Sequence, residues 1–154
     1  MKLFDGKFVQ VVQRDGKEVV VHRDAVAIVA VDRHDVVTLV RQPRVATGGP
    51  VLELPAGIVE EGEPPLETAK RELREETGLH GGDWVEVAAV YSSPGFTDEK
   101  ITLFVARGLE QGEAQPEESE ELELVHVPLA EIPALLPEVE DAKTLAGLLL
   151  LLRL

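Results

Sequence analysis

The chain has no cysteine, one methionine, one tryptophan and one tyrosine. Without thiols, a disulfide framework, thiol catalysis and Cys-ligated zinc or iron–sulfur centres are excluded. With aromatics at 4%, the core has to be aliphatic: Leu, Val, Ile and Ala. Positive charge is scarce too. Fifteen Lys and Arg face 29 Asp and Glu, a formal net charge of −14. Such a surface repels phosphate backbones and anionic membranes, which argues against nucleic-acid and membrane partners. It does not exclude small phosphorylated ligands, because divalent cations mediate between carboxylates and phosphates. No apolar run approaches the roughly 20 residues that span a bilayer. The leucine run at 148–152, in a tail ending at Leu154, reads as a buried helix. Charge at Lys2 and Asp5 comes too early for a secretory h-region, so a cytoplasmic location is expected.

With 154 residues, 44% of them hydrophobic, the chain is long enough for one domain with a sizeable core. Its first third alternates like strands. Residues 8–12 and 18–21 flank Arg14-Asp15-Gly16-Lys17, and Asp-Gly between β-rich runs signals a hairpin. Residues 25–31 and 36–40 form a second pair, and Gly48-Gly49-Pro50 precedes a short strand at 51–54. Pro64-Pro65 opens the clearest helix, with Leu66, Ala69, Leu73 and Thr77 on one face and Gly78 as its expected left-handed C-cap. Strands are expected at 84–91, 101–106 and 123–127. A mobile acidic loop is expected at 110–121, a short helix at 129–136 and a longer one at 141–154. No Lys or Arg lies between Arg107 and Lys143. The pattern predicts a mixed sheet with helices packed on it, an α+β or α/β sandwich.

The chemistry concentrates at residues 57–79, GIVEEGEPPLETAKRELREETGL. On a helix, Glu72, Glu75 and Glu76 stand at i, i+3 and i+4 and share a face. One reading is a solvated acidic face offset by Arg71 and Arg74. The other is a cation site, because clustered carboxylates beside a glycine loop that can present carbonyl oxygens suit a hard divalent ion such as Mg²⁺.

Gly57, five residues, Glu63, seven residues, then Arg71-Glu72-Leu73-Arg74-Glu75-Glu76-Thr77-Gly78-Leu79 resembles a complete Nudix box, matching at every fixed position. Nudix proteins are mostly Mg²⁺-dependent hydrolases of nucleoside diphosphates linked to another moiety, with an α/β/α sandwich around a mixed sheet. The resemblance implies metal ligation by Glu72 and Glu76 with Glu75 in support, and by the carbonyl of Ala56. It makes Arg71 an orienting partner of the glutamates and Glu63 a brace between loop and helix. Pro94, fifteen residues beyond Leu79, is similar to the proline that marks the ADP-ribose pyrophosphatases of the family. Taken alone, Ser-Pro-Gly is ordinary turn chemistry.

Carried over by position, Ser93, Pro94 and Gly95 contact substrate and Glu99 reaches a ribose. Phe96 is a candidate surface for the adenine. Leu52-Glu53-Leu54-Pro55-Ala56 resembles the usual lead into the box, and Glu53 is counted with the substrate-binding residues. Arg41-Gln42-Pro43-Arg44 resembles the preceding segment, with Pro43 where an aromatic is usual. Arg44, with its planar multi-donor head, is the candidate phosphate grip. The base of this subfamily comes from a later loop. Here Glu118 best matches it and Glu120 a further metal ligand, with Glu117 and Glu121 as fallbacks.

The expected activity is hydrolysis of ADP-ribose to AMP and ribose 5-phosphate with two or three Mg²⁺. The expected organisation is a single domain over 1–154 whose hairpin at 1–24 takes part in homodimerisation. One alternative is another Nudix hydrolase, acting on a different nucleoside diphosphate sugar or a dinucleotide. A second is a non-catalytic ADP-ribose-sensing regulator, against which the intact box and the wrong charge for DNA both count. An EF-hand-like Ca²⁺ module is excluded by the lack of its Asp/Asn spacing.

Overall fold

The computed structural model describes residues 1–115 and 121–154. The chain opens with a three-stranded antiparallel sheet, β1 (Lys2–Asp5), β2 (Gln10–Arg14) and β3 (Lys17–Val21), in the order β1-β2-β3. Arg14 pairs with Lys17 across a two-residue turn in which Asp15 and Gly16 both have positive φ. That turn matches the twist of a tight hairpin. The expected hairpin is therefore present, with β1 as an added outer strand.

The main sheet is built around β4 (Ala25–Asp32), which runs parallel to β10 (Lys100–Gln111) and antiparallel to β5 (Val36–Arg44). Residues 26–30 of β4 are wholly buried. Its apolar run is continuous because both faces are covered, and alternate side chains serve two cores. Beyond β5 lie β11 (Glu123–Pro128) and β6 (Gly49–Glu53). The short β7 (Ala56–Ile58) pairs with β4. Beyond β10 lie β8 (Leu79–His80) and β9 (Asp83–Tyr91).

Helix α1 (Pro65–Thr77) covers one face, burying Ala69 and Leu73 against Val26, Ile28 and Phe104. Proline at its start loses no intrahelical bond. It stops at Gly78, whose φ of 78° belongs to glycine and whose amide donates to the Arg74 carbonyl at 2.9 Å. Helices α2 (Ile132–Leu135) and α3 (Ala142–Leu151) cover the other face, where Ile132, Leu148 and Leu151 meet Ala27, Val29 and Leu103. The result is a three-layer sandwich with a mixed sheet in the middle.

Three expectations need correction. β10 continues to Gln111, into the stretch expected to be loop, because its far end pairs with β8. The helix expected at 129–136 is broken into 3-10 turns at Leu129–Glu131 and Leu136–Glu138 around the four-residue α2. The leucine tail is buried on one face only. Leu148 and Leu151 are in the core, while Leu149 and Leu152 are exposed, as the helical period requires of a helix lying on a sheet. Among the described residues no helix is long and apolar enough to cross a membrane.

Candidate active site

Proline, glycine and carboxylates at fixed spacing place the acidic turn of α1 directly over β7. Gly57 in β7 and Glu72 in α1 are packed so closely that a Cβ on residue 57 would overlap the Glu72 carboxylate. Only glycine allows that approach. A cavity of about 870 Å³ opens here. Ala56, Glu72 and Glu76 line it together with Arg44 and Lys143. His22 contributes from just after β3, Tyr91 and Ser92 from the end of β9, and Glu99 from just before β10.

Arg71 organises the acidic face. Its Nη1 donates to Glu72 Oε1 at 2.9 Å and to Glu75 Oε2 at 3.2 Å, and its Nε and Nη2 grip the two oxygens of Glu63 at 3.1 Å each. Hydrogen bonds from Arg71, joined by one from Thr68, hold the Glu63 carboxyl down at about 2. The same contact raises Arg71, so the Glu63–Arg71 pair stays ionised at neutral pH. Glu63 thus ties the loop ahead of α1 to its second turn.

The three helix glutamates part company. Glu72 and Glu76 face the cavity with Ala56, and Glu76 is buried to 6% exposure. Glu75 faces a second cavity on the far side of Arg71, beside Lys70, Arg74 and Trp84. Among the described residues no three carboxylate or imidazole side chains converge as a ready metal cage. The donor chemistry still fits a hard divalent cation: two glutamates on adjacent turns, a peptide carbonyl of a residue lining the same cavity, and a glycine that leaves the room. These are the groups that could hold one.

Arg44 lies at the cavity and is held by Glu53, with Nε to Oε1 at 2.6 Å and Nη2 to Oε2 at 2.9 Å. Glu53 itself is 2% exposed, and its carboxylate is engaged by Arg44 and Lys143 rather than turned toward the cavity. It acts on that space through the two cations. Burial pushes its carboxyl up, but Arg44 and Lys143 outweigh burial and leave it below the usual range. The hydrogen bond to Glu53 raises Arg44, and the charge of Glu76 adds to that field.

Of the loop expected to touch substrate, only its base reaches the cavity. The Ser92 amide donates to the Glu99 carbonyl at 3.1 Å, closing the loop, and both residues line the space. Ser93, Pro94, Gly95 and Phe96 do not line it. The Ser93 carbonyl accepts from the amides of Phe96 and Thr97, and the Phe96 carbonyl accepts from Val20 at 2.8 Å. The turn is fastened to the N-terminal sheet, and the Phe96 ring is left exposed. The aromatic at the cavity is Tyr91. Glu118 and Glu120 lie outside the described residues, as does Glu117.

Several cavity residues were not anticipated from the sequence. His22 Nδ1 lies 2.7 Å from the Arg23 carbonyl and 3.2 Å from Glu99 Oε1. Both neighbours accept, so this nitrogen carries the hydrogen and steadies Glu99. Lys143 and Asp141 enter from the start of α3. The one available signal for Lys143 was its place as the first cation after Arg107.

Comparison with known proteins places this geometry. The chain is 38% identical over 156 residues to an ADP-ribose pyrophosphatase of Bacillus subtilis, with 93% of this chain and 84% of the relative covered. It is 40% identical over 139 residues to an ADP-ribose pyrophosphatase of Mycobacterium tuberculosis, with 86% and 67% covered. Its fold matches a crystal structure of an ADP compounds hydrolase with a TM-score of 0.83 at 26% identity, over 99% of this chain and 89% of that one. A model of the NUDIX domain matches residues 21–148, a span that takes in the core under α1, nearly all of the core on the other face, and every described residue lining the cavity. The chain belongs to the NUDIX domain family.

Proposed function

We propose that this protein hydrolyses the diphosphate bond of ADP-ribose, giving AMP and ribose 5-phosphate, with Mg²⁺ as cofactor. The observation that carries the reading is the meeting of Glu72, Glu76 and Ala56 with Arg44 and Glu99 around one cavity. The similarity to ADP-ribose pyrophosphatases over nearly the whole chain supports the choice of substrate.

In this reading Glu72 and Glu76 would hold two or three Mg²⁺, aided by the Ala56 carbonyl and by Glu120, while Glu75, at the second cavity, would support them through Arg71. Bound Mg²⁺ neutralises the diphosphate and makes water a better nucleophile. Arg71 offsets the repulsion among the carboxylates and holds Glu72 in place by offering it a fixed donor. Arg44 binds a phosphate oxygen through the guanidinium edge not given to Glu53, and Glu99, steadied by His22, accepts from a ribose hydroxyl. Glu118 takes the proton of the attacking water. The water oxygen bonds to one phosphorus, the bridging P–O bond breaks, and the electron pair leaves with the other phosphate.

The N-terminal sheet fits the same reading as a dimerisation element. It lies ahead of the family match and leaves Phe4 and Phe8 exposed. A cytoplasmic location is consistent with the cysteine-free composition.

The test is product analysis with Mg²⁺ and, in parallel, ADP-ribose, ADP-glucose, GDP-mannose, NADH and diadenosine polyphosphates. AMP and ribose 5-phosphate from ADP-ribose, abolished by chelator, is the expected result. Preferential cleavage of another substrate would replace ADP-ribose. No cleavage of any would overturn the reading.

A further inference from the structure

A buried carboxylate needs partners, because desolvation costs several kcal/mol per ion unless hydrogen bonds compensate. Glu53, at the end of β6, has two. Arg44 covers both oxygens from β5, and Lys143 Nζ reaches Oε2 from the start of α3 at 2.6 Å. The same Nζ donates to Asp141 Oδ2 at 2.9 Å. Asp141 is also the cap of α3, accepting from the Thr144 amide at 3.0 Å and its hydroxyl at 2.6 Å. Thr144 Oγ1 in turn accepts from the Leu54 amide at 2.8 Å. Residues 53 and 54, just before Ala56 and Gly57, are thereby pinned twice to the first turn of α3.

The cations are not used up by this network. An ammonium has three donors, and Glu53 and Asp141 take two. A guanidinium has five N–H groups, and the bonds to Glu53 take two. Both residues line the cavity that Glu72 and Glu76 also line. One carboxylate bridging two cations holds them nearer than their mutual repulsion would allow alone. The product is a pair of phosphate donors at a fixed spacing, on the cavity that Glu72 and Glu76 also line.

We propose that Lys143 is a second phosphate-binding residue, and that Glu53 is the positioning residue that presents Lys143 and Arg44 together to the diphosphate. The inference rests on reading the cavity as a nucleoside diphosphate site. It makes α3 part of the substrate site and assigns Glu53 an indirect role. If Lys143 served only to neutralise Glu53, its loss would lower stability and leave substrate affinity intact.

The test uses Lys143→Met, Lys143→Arg, Glu53→Gln and the double variant Glu53→Gln/Lys143→Met in the full chain, with Lys17→Met as a control. Two readouts apply: KM and kcat for the nucleoside diphosphate turned over best, and calorimetric titration with inorganic pyrophosphate in the presence of Mg²⁺. Lys143→Met is expected to raise KM and weaken pyrophosphate about tenfold or more, with a smaller change in kcat. Lys143→Arg should recover most of that loss, and Glu53→Gln should raise KM through both cations. The double variant, which leaves no unpaired buried charge, should raise KM at least as much as Lys143→Met and keeps the test available if the single variant fails to fold. KM and pyrophosphate affinity within about twofold of wild type in Lys143→Met or the double variant would overturn the proposal. Turnover of a substrate other than ADP-ribose would displace the proposed activity alone, because the KM shift on that substrate still decides the role of Lys143. If nothing is turned over, the pyrophosphate titration decides it.

Discussion

Replacing Gly57 by alanine would drive a methyl group into the Glu72 carboxylate. The added carbon would fall 2.5 Å from Oε1 and nearer still to the carbons of that side chain, where 3.4 Å is the start of ordinary contact. One of the two groups has to move by about 1 Å. β7 is paired to β4 through Val26↔Gly57 and its neighbours, so the side chain yields first. A displacement of that size at a catalytic group costs about 100-fold in rate, or about 2.7 kcal/mol of barrier. Folding should suffer less, because Gly57 has an ordinary strand conformation and the Glu72 side chain, though only 16% exposed, borders an open cavity into which it can shift. The assay is kcat for ADP-ribose at saturating Mg²⁺ beside a thermal melt. A folded Gly57→Ala enzyme with wild-type kcat would refute the placement of Glu72 at the reacting centre.

Glu76→Gln keeps the shape of the side chain and removes its charge, so kcat should fall about 10³-fold with the circular dichroism spectrum unchanged, the loss of several kcal/mol expected for a metal ligand. Glu118→Gln should lower kcat by about 10²- to 10⁴-fold and remove the acid limb of the pH–rate profile, whereas Glu117→Gln and Glu121→Gln should not. Arg71 lowers the Glu63 carboxyl from 4.5 to about 2, so their pairing stabilises the fold above pH 4.5 and is lost as pH falls toward 2. Carboxyl-carbon NMR should show that low midpoint in wild type and a clearly higher one in Arg71→Met, where the Thr68 hydrogen bond still holds it below the ordinary value. Leu73→Ala opens a hole in the core under α1 and should cost about 2–5 kcal/mol in denaturant unfolding, with KM unaltered.

What could be read along the chain was what local chemistry decides. Asp15-Gly16 dictates its own turn, the unbroken apolar run of β4 announces burial on both faces, and Pro64 and Gly78 bracket α1. β1 escaped because its four residues are all exposed, so no burial pattern marks them, and only pairing with β2 makes them a strand. The cavity escaped in a more instructive way. Lys143 meets Glu53 across 90 residues of sequence, and no periodicity links a strand end to a distant helix start.

The loop at 92–99 shows how a correct segment can still mislead at single positions. Spacing points to its tip, Ser93 to Phe96, but the tip is the part that a second sheet captures: Val20 bridges to Thr97 and donates to the Phe96 carbonyl. Capture at the tip and closure at the base together turn the loop so that Ser92 and Glu99 face the cavity. The N-terminal sheet therefore shapes the cavity without entering the box, and His22, the residue that follows β3, sits against Glu99 as a direct result.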